Sequence, residues 1–226
     1  MAHRVGRVCV VGSSNVDLIA YTDRLPLPGE TVLGSHFSQG FGGKGANQAV
    51  QAARLGSHVV MVTKLGEDSY GAQTRDNYAA NSIDLTHVLS TPLVSSGLAP
   101  ITVDKHGTNC IIVIPGANDL LSEQDVRDAV RSIESCAVLM CQNEVPLATT
   151  KEALRLGKEH GLTTIFNVAP APPSLPDDVL QYESMPSLTL STMHGSRESR
   201  HHHHHHRHRH LTRILLRCAD WSTFSA

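Results

Sequence analysis

The sequence predicts an α/β fold in which helices cover a mainly parallel central sheet and a small second sheet lies beside it. Short β-branched, apolar runs alternate with helical patterns from Arg7 to Asn167. The apolar runs are almost continuous, which is typical of parallel strands buried on both faces. Two more polar stretches break this alternation, and they predict the second sheet.

Composition and charge exclude several classes of partner. Of the 226 residues, 19 are basic and 21 are acidic, so there is no overall field that would attract nucleic acid or anionic lipid. The apolar run at 8–11 is shorter than the about 7 to 15 residues of a signal sequence core or the ~20 of a membrane span. We therefore expect no nucleic-acid partner, no membrane association and a cytoplasmic location. A nuclear location would also fit these observations.

The cysteines are expected to be reduced and buried as small hydrophobic residues. There are five, an odd number without a Cys-x-x-Cys pair: Cys9, Cys110, Cys136, Cys141 and Cys218. Cys136 and Cys141 are expected on opposite faces of one strand, which disfavours a shared metal.

Each element of the central unit has a local signal. Strands are predicted at 8–12, 59–65, 137–142 and 163–167. Helices are predicted from Lys44 to before Gly56, after Gly71, from Ser122, and over 146–160. Ser122 and Asp125 have the spacing of a capping box.

The second sheet is predicted from lid strands near 17–39 and 97–114. Its parts are the polar stretch 31–39 and a hairpin, 97–104 with 109–114, turning at 105–107. Such a projecting sheet is suited to closing over a ligand.

The periodic pattern stops after Leu180. The sequence predicts an α/β domain over 1–180 and a low-complexity, disordered tail over 181–226 that contains six consecutive histidines from His201. The histidines have two interpretations, natural or unrelated low-complexity sequence and a purification tag. Either could bind zinc or nickel adventitiously without fixed geometry, and we assign the run no function.

A glycine cluster precedes the first helix and is ambiguous by itself. Gly40, Gly42 and Gly45 satisfy the dinucleotide-binding pattern, with Asp68 at the distance of a ribose-binding acid. That interpretation requires a buried parallel strand before the glycines, and 34–39 is too polar. A phosphate-binding loop is excluded because Gly45, not Ser or Thr, follows Lys44.

Polar residues near the cluster indicate a ligand. Asn15 and Asp17 follow the first predicted strand and Glu144 follows the third, where ligands gather in open parallel sheets. With Lys44 and Asn47 they supply the donors and acceptors that a polyhydroxylated sugar needs. Other roles remain open.

Those other roles are structural. Asn15 and Asp17 could cap a turn, and Glu144 could be an ordinary acid at the start of the next helix. Lys44 could be a solvated cation, although it is unfavourable at a helix N-terminus without a compensating group. Asp68 is better explained as a helix cap than as a ligand-binding residue.

Over about residues 7–180 the chain resembles the ribokinase-like carbohydrate kinases. The matching motifs are Gly12-Ser13-Ser14-Asn15-Val16-Asp17, Leu25-Pro26 with Pro28-Gly29-Glu30, Gly42-Gly43-Lys44-Gly45-Ala46-Asn47, Gly66-Glu67-Asp68-Ser69-Tyr70-Gly71, Pro115-Gly116-Ala117-Asn118 and Asn167-Val168-Ala169-Pro170-Ala171. Val168 departs from the family, which usually has proline there.

The resemblance implies a three-layer α/β/α fold with a small β lid and a site for D-ribose or a similar pentose. The residues that would hold the sugar are Asn15, Asp17, Gly42, Gly43, Lys44, Asn47 and Glu144. The lid strands would also form a homodimer contact. The family's cofactors are ATP, Mg²⁺ and a monovalent cation, K⁺.

The family's catalytic half has no counterpart in this sequence. Its Gly-Ala-Gly-Asp stretch, which carries the catalytic base, is absent after Gly56, and the nucleotide and cation sites are expected beyond Leu180, where the sequence diverges. Loss of a general base costs on the order of 10² to 10⁴ in rate. The resemblance therefore implies a truncated kinase that is inactive alone, and three hypotheses follow: a working kinase, a silent pentose binder, and a lid-mediated partner of a full-length kinase.

Overall fold

The computed structural model describes residues 6–170, 174 and 176–187. The helices of this part are α1 (Lys44–Arg54), α2 (Ser69–Ala80), α3 (Glu123–Asp128), α4 (Val130–Glu134), α5 (Leu147–Glu159) and α6 (Asp177–Leu180). The strands are β1 (Arg7–Val11), β2 (Asn15–Thr22), β3 (Gly34–Gly42), β4 (His58–Gly66), β5 (Asp84–Thr91), β6 (Gly97–Val103), β7 (Asn109–Ile111), β8 (Val138–Gln142), β9 (Thr163–Asn167) and β10 (Met185–Ser187).

Six of these strands form the central sheet, in the order β10-β9-β8-β1-β4-β5. Every pair in it is parallel. The four predicted strands are confirmed as β1, β4, β8 and β9. The sequence did not predict β5, whose residues are mostly polar because it lies at the edge of the described sheet, or the three-residue β10.

Alternate residues of the central strands face two separate hydrophobic cores, because side chains of a strand point to opposite faces in turn. Val8 and Val10 of β1 pack with the alanines of α1 and with Tyr78 of α2. Cys9 and Val11 pack with residues of α3, α4 and α5 on the other face. The sheet is therefore the middle of three layers, as predicted.

The helices begin where the local signals place them. Ser122 caps α3, and the predicted capping box with Asp125 is present. The single helix expected from Ser122 is divided at Ala129, although Val126, Ala129 and Ile133 all face the core as predicted. The helix after Gly71 begins two residues earlier, at Ser69, because Asp68 caps it.

The second sheet has the order β3-β2-β6-β7 and is called the lid here. It confirms the predicted small sheet and its hairpin, in which Gly107 takes φ 82°. The strand β2 pairs antiparallel with β3 and parallel with β6. It begins at Asn15, three residues after Gly12, so the central sheet and the lid are joined directly at the end of β1.

The cysteines are mostly buried as expected. Cys9, Cys136 and Cys141 are buried, and burial raises the pKa of each thiol. The expectation that Cys136 and Cys141 face opposite sides is wrong, because Cys136 lies in the turn before β8 and joins the same core cluster. Cys110 is exposed on β7, contrary to expectation, and Cys218 lies outside the described residues.

The described sheet extends past residue 180, since β10 pairs parallel with β9. The division of the chain into 1–180 and 181–226 remains a prediction, and the run of histidines lies outside the described residues. Within the described part of the chain, no helix has the length and apolar character that crossing a membrane requires.

Candidate functional site

The carboxylate of Asp17 lies against Gly42 on one face of the lid. Asp17 pairs with Gly40, and Asn15 pairs with Gly42, across the β2/β3 ladder. A Cβ atom at Gly42 would lie 2.3 Å and 2.4 Å from the two carboxylate oxygens of Asp17. Position 42 must therefore be glycine, because any side chain there would occupy the place of the Asp17 carboxylate.

The next two glycines bring α1 onto the end of β1. Gly43 takes φ 87°, which favours glycine. A Cβ atom at Gly45 would lie 2.6 Å from the backbone nitrogen of Ser13, and the Ala46 amide donates a 2.8 Å hydrogen bond to the Ser13 carbonyl. The first turn of α1 thus packs directly on the junction between central sheet and lid.

Glu144, which follows the strand β8 next to β1, caps α1. Its Oε2 accepts hydrogen bonds from the Lys44 backbone amide at 2.8 Å and from Ser13 Oγ at 2.7 Å. Its Oε1 lies 3.2 Å from Lys44 Nζ. Glu144 therefore acts at the start of α1 and not of the following helix, and it supplies the anion that the Lys44 cation requires there.

Asp17, Lys44 and Glu144 form one electrostatic cluster. The pKa of Asp17 is raised from 3.8 to about 6. Burial contributes most to this rise, the negative charge of Glu144 adds to it, and the positive charge of Lys44 opposes it. The Lys44 ammonium group is thus ion-paired with Glu144 and acts on Asp17 through its charge. No hydrogen bond to the Asp17 carboxylate comes from any residue that the structure describes, which leaves its oxygens available to a ligand.

Asn15 occupies the innermost position of the site. It is 5% exposed, and its Oδ1 accepts a 2.8 Å hydrogen bond from Nδ2 of Asn118. Asn118 lies in the motif Pro115-Gly116-Ala117-Asn118, but no local signal indicates its contact with Asn15, since 103 positions separate the two residues.

Asn47 lies on α1 and lines a neighbouring cleft of about 200 Å³. The cleft lies between β3, α1 and α2, and its lining residues are Phe41, Ala46, Asn47, Val50, Gln51, Arg54 and Asn77. The contacts of the described residues thus bring together Asp17, Lys44, Glu144 and the glycines, with Asn15 beside them, and they place Asn47 against this cleft.

Asp68 is a structural cap, as expected. Its carboxylate accepts hydrogen bonds from the Gly71 amide at 2.8 Å and from the amide and hydroxyl of Ser96 at 2.7 and 2.8 Å. Burial acts to raise the pKa of Asp68, but these hydrogen bonds lower it overall. Because β3 is also exposed and antiparallel, the dinucleotide-binding interpretation has no support.

The family resemblance predicts that the cation sites lie beyond Leu180 and not in this site. Across residues 6–170, 174 and 176–187, no three His, Cys, Asp or Glu side chains are grouped to hold a metal ion. Asp17 and Glu144 face a single ammonium group, which fits a polar organic ligand better than a cation.

Replacement of Glu144 should destabilise the fold because the α1 N-terminus and the Lys44 ammonium would both lose their partner. We expect Glu144→Ala to lower the free energy of unfolding by about 2 kcal/mol, measured by urea denaturation. Glu67→Ala, at an exposed position after β4, is the matched control and should have almost no effect. Equal losses in the two variants would contradict the capping role.

The fold is that of a family of carbohydrate kinases. The model of the "pfkB family carbohydrate kinase" matches residues 5–204, so the chain belongs to that family. Among curated proteins it is 44% identical over 164 residues to a deoxyribokinase of Salmonella typhimurium, which covers 73% of this chain and 54% of that protein. It is also 44% identical over 164 residues to a ribokinase of Dictyostelium discoideum, covering 72% and 52%.

A solved structure has the same fold. The Arabidopsis thaliana ribokinase complexed with ribose and ATP matches with a TM-score of 0.74 and 27% identity, over 82% of this chain and 61% of that one. The chain therefore spans about half the length of the curated relatives it matches.

Proposed function

We propose that this chain binds D-ribose or a similar pentose, as the sugar-binding part of an ATP-dependent pentose kinase. The observation that carries the proposal is the partly buried Asp17 carboxylate, which accepts no hydrogen bond within the described part of the chain. Desolvation without compensating hydrogen bonds is costly. Sugar hydroxyls that donate to Asp17 would remove that cost.

The neighbouring groups complete the recognition of a polyol. The Lys44 ammonium and the Asn15 amide donate, whereas Asp17 and Glu144 accept, so hydroxyls can bind in both senses. Gly42 makes room for the Asp17 carboxylate, and Gly43 lets the chain approach the backbone of Ser13 and Asn15 closely, so both glycines hold the sugar's partners in place. Asn47 would contact the sugar from α1. The names of the relatives, two of which concern ribose and one deoxyribose, support a pentose.

The proposal is tested by the melting temperature of the full 226-residue chain with increasing D-ribose and 2-deoxy-D-ribose. Pentose should raise the melting temperature at millimolar concentrations. Gly42→Ala should abolish the shift because its methyl group would occupy the position of the Asp17 carboxylate. Gly40→Ala, whose Cβ would lie 3.9 Å from Asp17 Cβ, is the matched control and should keep it. No shift in the unmodified chain would overturn the proposal.

Pentose binding should weaken as the pH falls below about 6. The pKa of Asp17 lies at about 6 in the absence of ligand, and the protonated carboxyl is a poorer acceptor than the carboxylate. Isothermal titration calorimetry from pH 5 to 8 should show affinity rising with pH through a midpoint near 6 and constant above about pH 7. A midpoint near the ordinary 3.8 of aspartate would contradict Asp17 as the responsible group.

Phosphoryl transfer by these 226 residues alone should be negligible. The sequence contains no Gly-Ala-Gly-Asp stretch, and the described residues group no metal ligands. ATP, Mg²⁺ and K⁺ would bind to a part of the kinase fold beyond the site described above. Coupled measurement of ADP release with ribose, ATP, Mg²⁺ and K⁺ should give only background, and release dependent on ribose would contradict this.

A second candidate function is pairing through the lid, either in a homodimer or with a full-length kinase subunit. It is favoured by apolar lid side chains that are largely exposed, Phe37 at 63%, Ile112 at 63% and Val113 at 52%. Exposed apolar area of this kind marks interaction surfaces. Light scattering should give the mass of a dimer, and Phe37→Ser with Ile112→Ser should give a monomer. A monomeric mass for the unmodified chain would reject homodimerisation.

A further inference from the structure

The side chain of Asn118 is hydrogen-bonded at the point where the chain passes from the central sheet into the lid. Asn118 is 1% exposed and lies on the 3-10 helix Gly116–Leu120, shortly after the lid's last strand. Its Oδ1 accepts a 2.8 Å hydrogen bond from the Ser14 backbone amide. Its Nδ2 lies 2.8 Å from Asn15 Oδ1, 2.9 Å from the Pro115 carbonyl and 3.2 Å from the Ser14 carbonyl.

These partners permit one orientation of the Asn118 amide. A backbone amide only donates and backbone carbonyls only accept, so the oxygen must face the Ser14 amide and the nitrogen must face the two carbonyls. The nitrogen of Asn118 can only donate to Asn15. Asn15 must therefore present its oxygen to Asn118.

The orientation of Asn15 leaves its amide nitrogen without a protein partner. The Asn15 side chain donates no hydrogen bond to any residue of the described part, although Asn15 is 5% exposed. The nitrogen itself is not fully enclosed, so it can reach a bound molecule. It therefore offers a donor to a ligand group that accepts a hydrogen bond, next to the acceptor that the Asp17 carboxylate offers.

Two glycines flank this arrangement and show how closely it is packed. Gly97 of β6 is in register with Asn15, and a Cβ atom there would lie 2.2 Å from Asn15 Oδ1 and 2.3 Å from Asn118 Nδ2. Gly42 is in register on the other side. Asn15 and Asp17 are two residues apart on β2, hence on the same face and about 7 Å apart along the strand.

We propose that Asn118 is a positioning residue that fixes the Asn15 amide with its NH₂ group toward the bound pentose. This inference rests on the proposed function. Asn118 touches no sugar. It makes Asn15 present a hydrogen-bond donor to the ligand, next to the acceptor at Asp17. This arrangement favours a ligand with two neighbouring hydroxyls, one of which accepts a hydrogen bond while the other donates one.

A double-mutant cycle on the full chain tests this role. In Asn118→Ala the Asn15 amide loses the contact that fixes it, and we expect about 10-fold weaker D-ribose binding by calorimetry. In an Asn15→Ala background, Asn118→Ala should cause no further loss, because its effect passes through Asn15. Tyr78→Phe is the matched control: it removes the 2.6 Å contact with Ser14 Oγ at the same junction and should lower the melting temperature without changing affinity.

The outcomes separate the inference from the proposed function. If the unmodified chain binds no pentose, the proposed function fails. If it binds and Asn118→Ala binds equally well, Asn118 has no positioning role. The same holds if Asn118→Ala weakens binding by the same factor whether Asn15 is present or replaced by alanine. If Asn118→Ala does not fold, Asn118→Asp keeps the side-chain size and the acceptor for Ser14, and the same dependence on Asn15 is expected of it.

Discussion

Asp17→Asn is expected to make the ligand-free protein more stable at neutral pH and to weaken pentose binding by about 100-fold. The binding loss follows because hydrogen bonds to a charged group contribute about 1.5–3 kcal/mol, and the amide offers one acceptor in place of a carboxylate. Calorimetry with D-ribose at pH 7.5 measures this loss. Asp23→Asn, at an exposed position after β2, should bind as the unmodified chain does.

The gain in stability follows from the raised pKa of Asp17. Because this pKa is about 6 in the folded protein and 3.8 for an unperturbed aspartate, the folded state holds its proton more tightly than the unfolded state. The free energy of unfolding therefore falls as the pH rises from about 4 to about 6. Above about pH 6 the ionised carboxylate of Asp17 destabilises the folded state.

Asparagine carries no such charge. Since the side chain is only partly buried, we expect a gain of about 1 kcal/mol after solvent screening, seen as a melting temperature higher by about 2–4 °C. A variant that is less stable than the unmodified chain at pH 7.5, or one that binds D-ribose with unchanged affinity, would contradict the role given to Asp17.

Gly45→Ala should cause the largest loss of stability among the variants considered, about 3 kcal/mol in urea denaturation. The added methyl carbon would lie 2.6 Å from Ser13 N and 2.7 Å from both Gly12 C and Ser13 O. All three are backbone atoms, so the helix must move away from the sheet. Alanine's better helix propensity returns only about 1 kcal/mol.

Gly157→Ala in α5 is the matched control. Its methyl group would meet Leu139 Cδ2 at 2.7 Å and Thr164 Cγ2 at 2.8 Å. These are ends of side chains, which can adjust, so we expect a smaller loss, about 1 kcal/mol. If the two variants lose equal stability, the close approach of α1 to Ser13 is not the reason for the stability loss of Gly45→Ala.

Elements with a strong local signal were predictable from the sequence. Strands buried on both faces appear as continuous apolar runs, and the capping box at Ser122 specifies a helix start within four residues. Edge strands carry no such signal: β5 alternates exposed and partly buried positions and reads as polar. The division of the third helix at Ala129 was likewise not marked by a proline or glycine.

The candidate site was predictable to the extent that it lies at strand ends. Polar residues after β1 and β8 had to meet at one edge of a parallel sheet. The glycines predicted that two backbone segments approach each other closely. The partner of each group was not predictable. Glu144 was predicted as a ligand-binding residue, with a role at the start of the following helix as the alternative, yet it caps α1, whose first residue lies 100 positions earlier.

The sequence by itself determined the fold class, the positions of the buried strands and helices, and the polar and glycine residues that gather at one edge of the sheet, because apolar periodicity and capping are written into neighbouring residues. Only the tertiary structure decided that Glu144 pairs with Lys44, that Asp17 has no protein donor within the described residues, and that Asn118 orients Asn15. Those relations join residues about 100 positions apart, and their hydrogen bonds depend on strand order and register, which no local pattern contains.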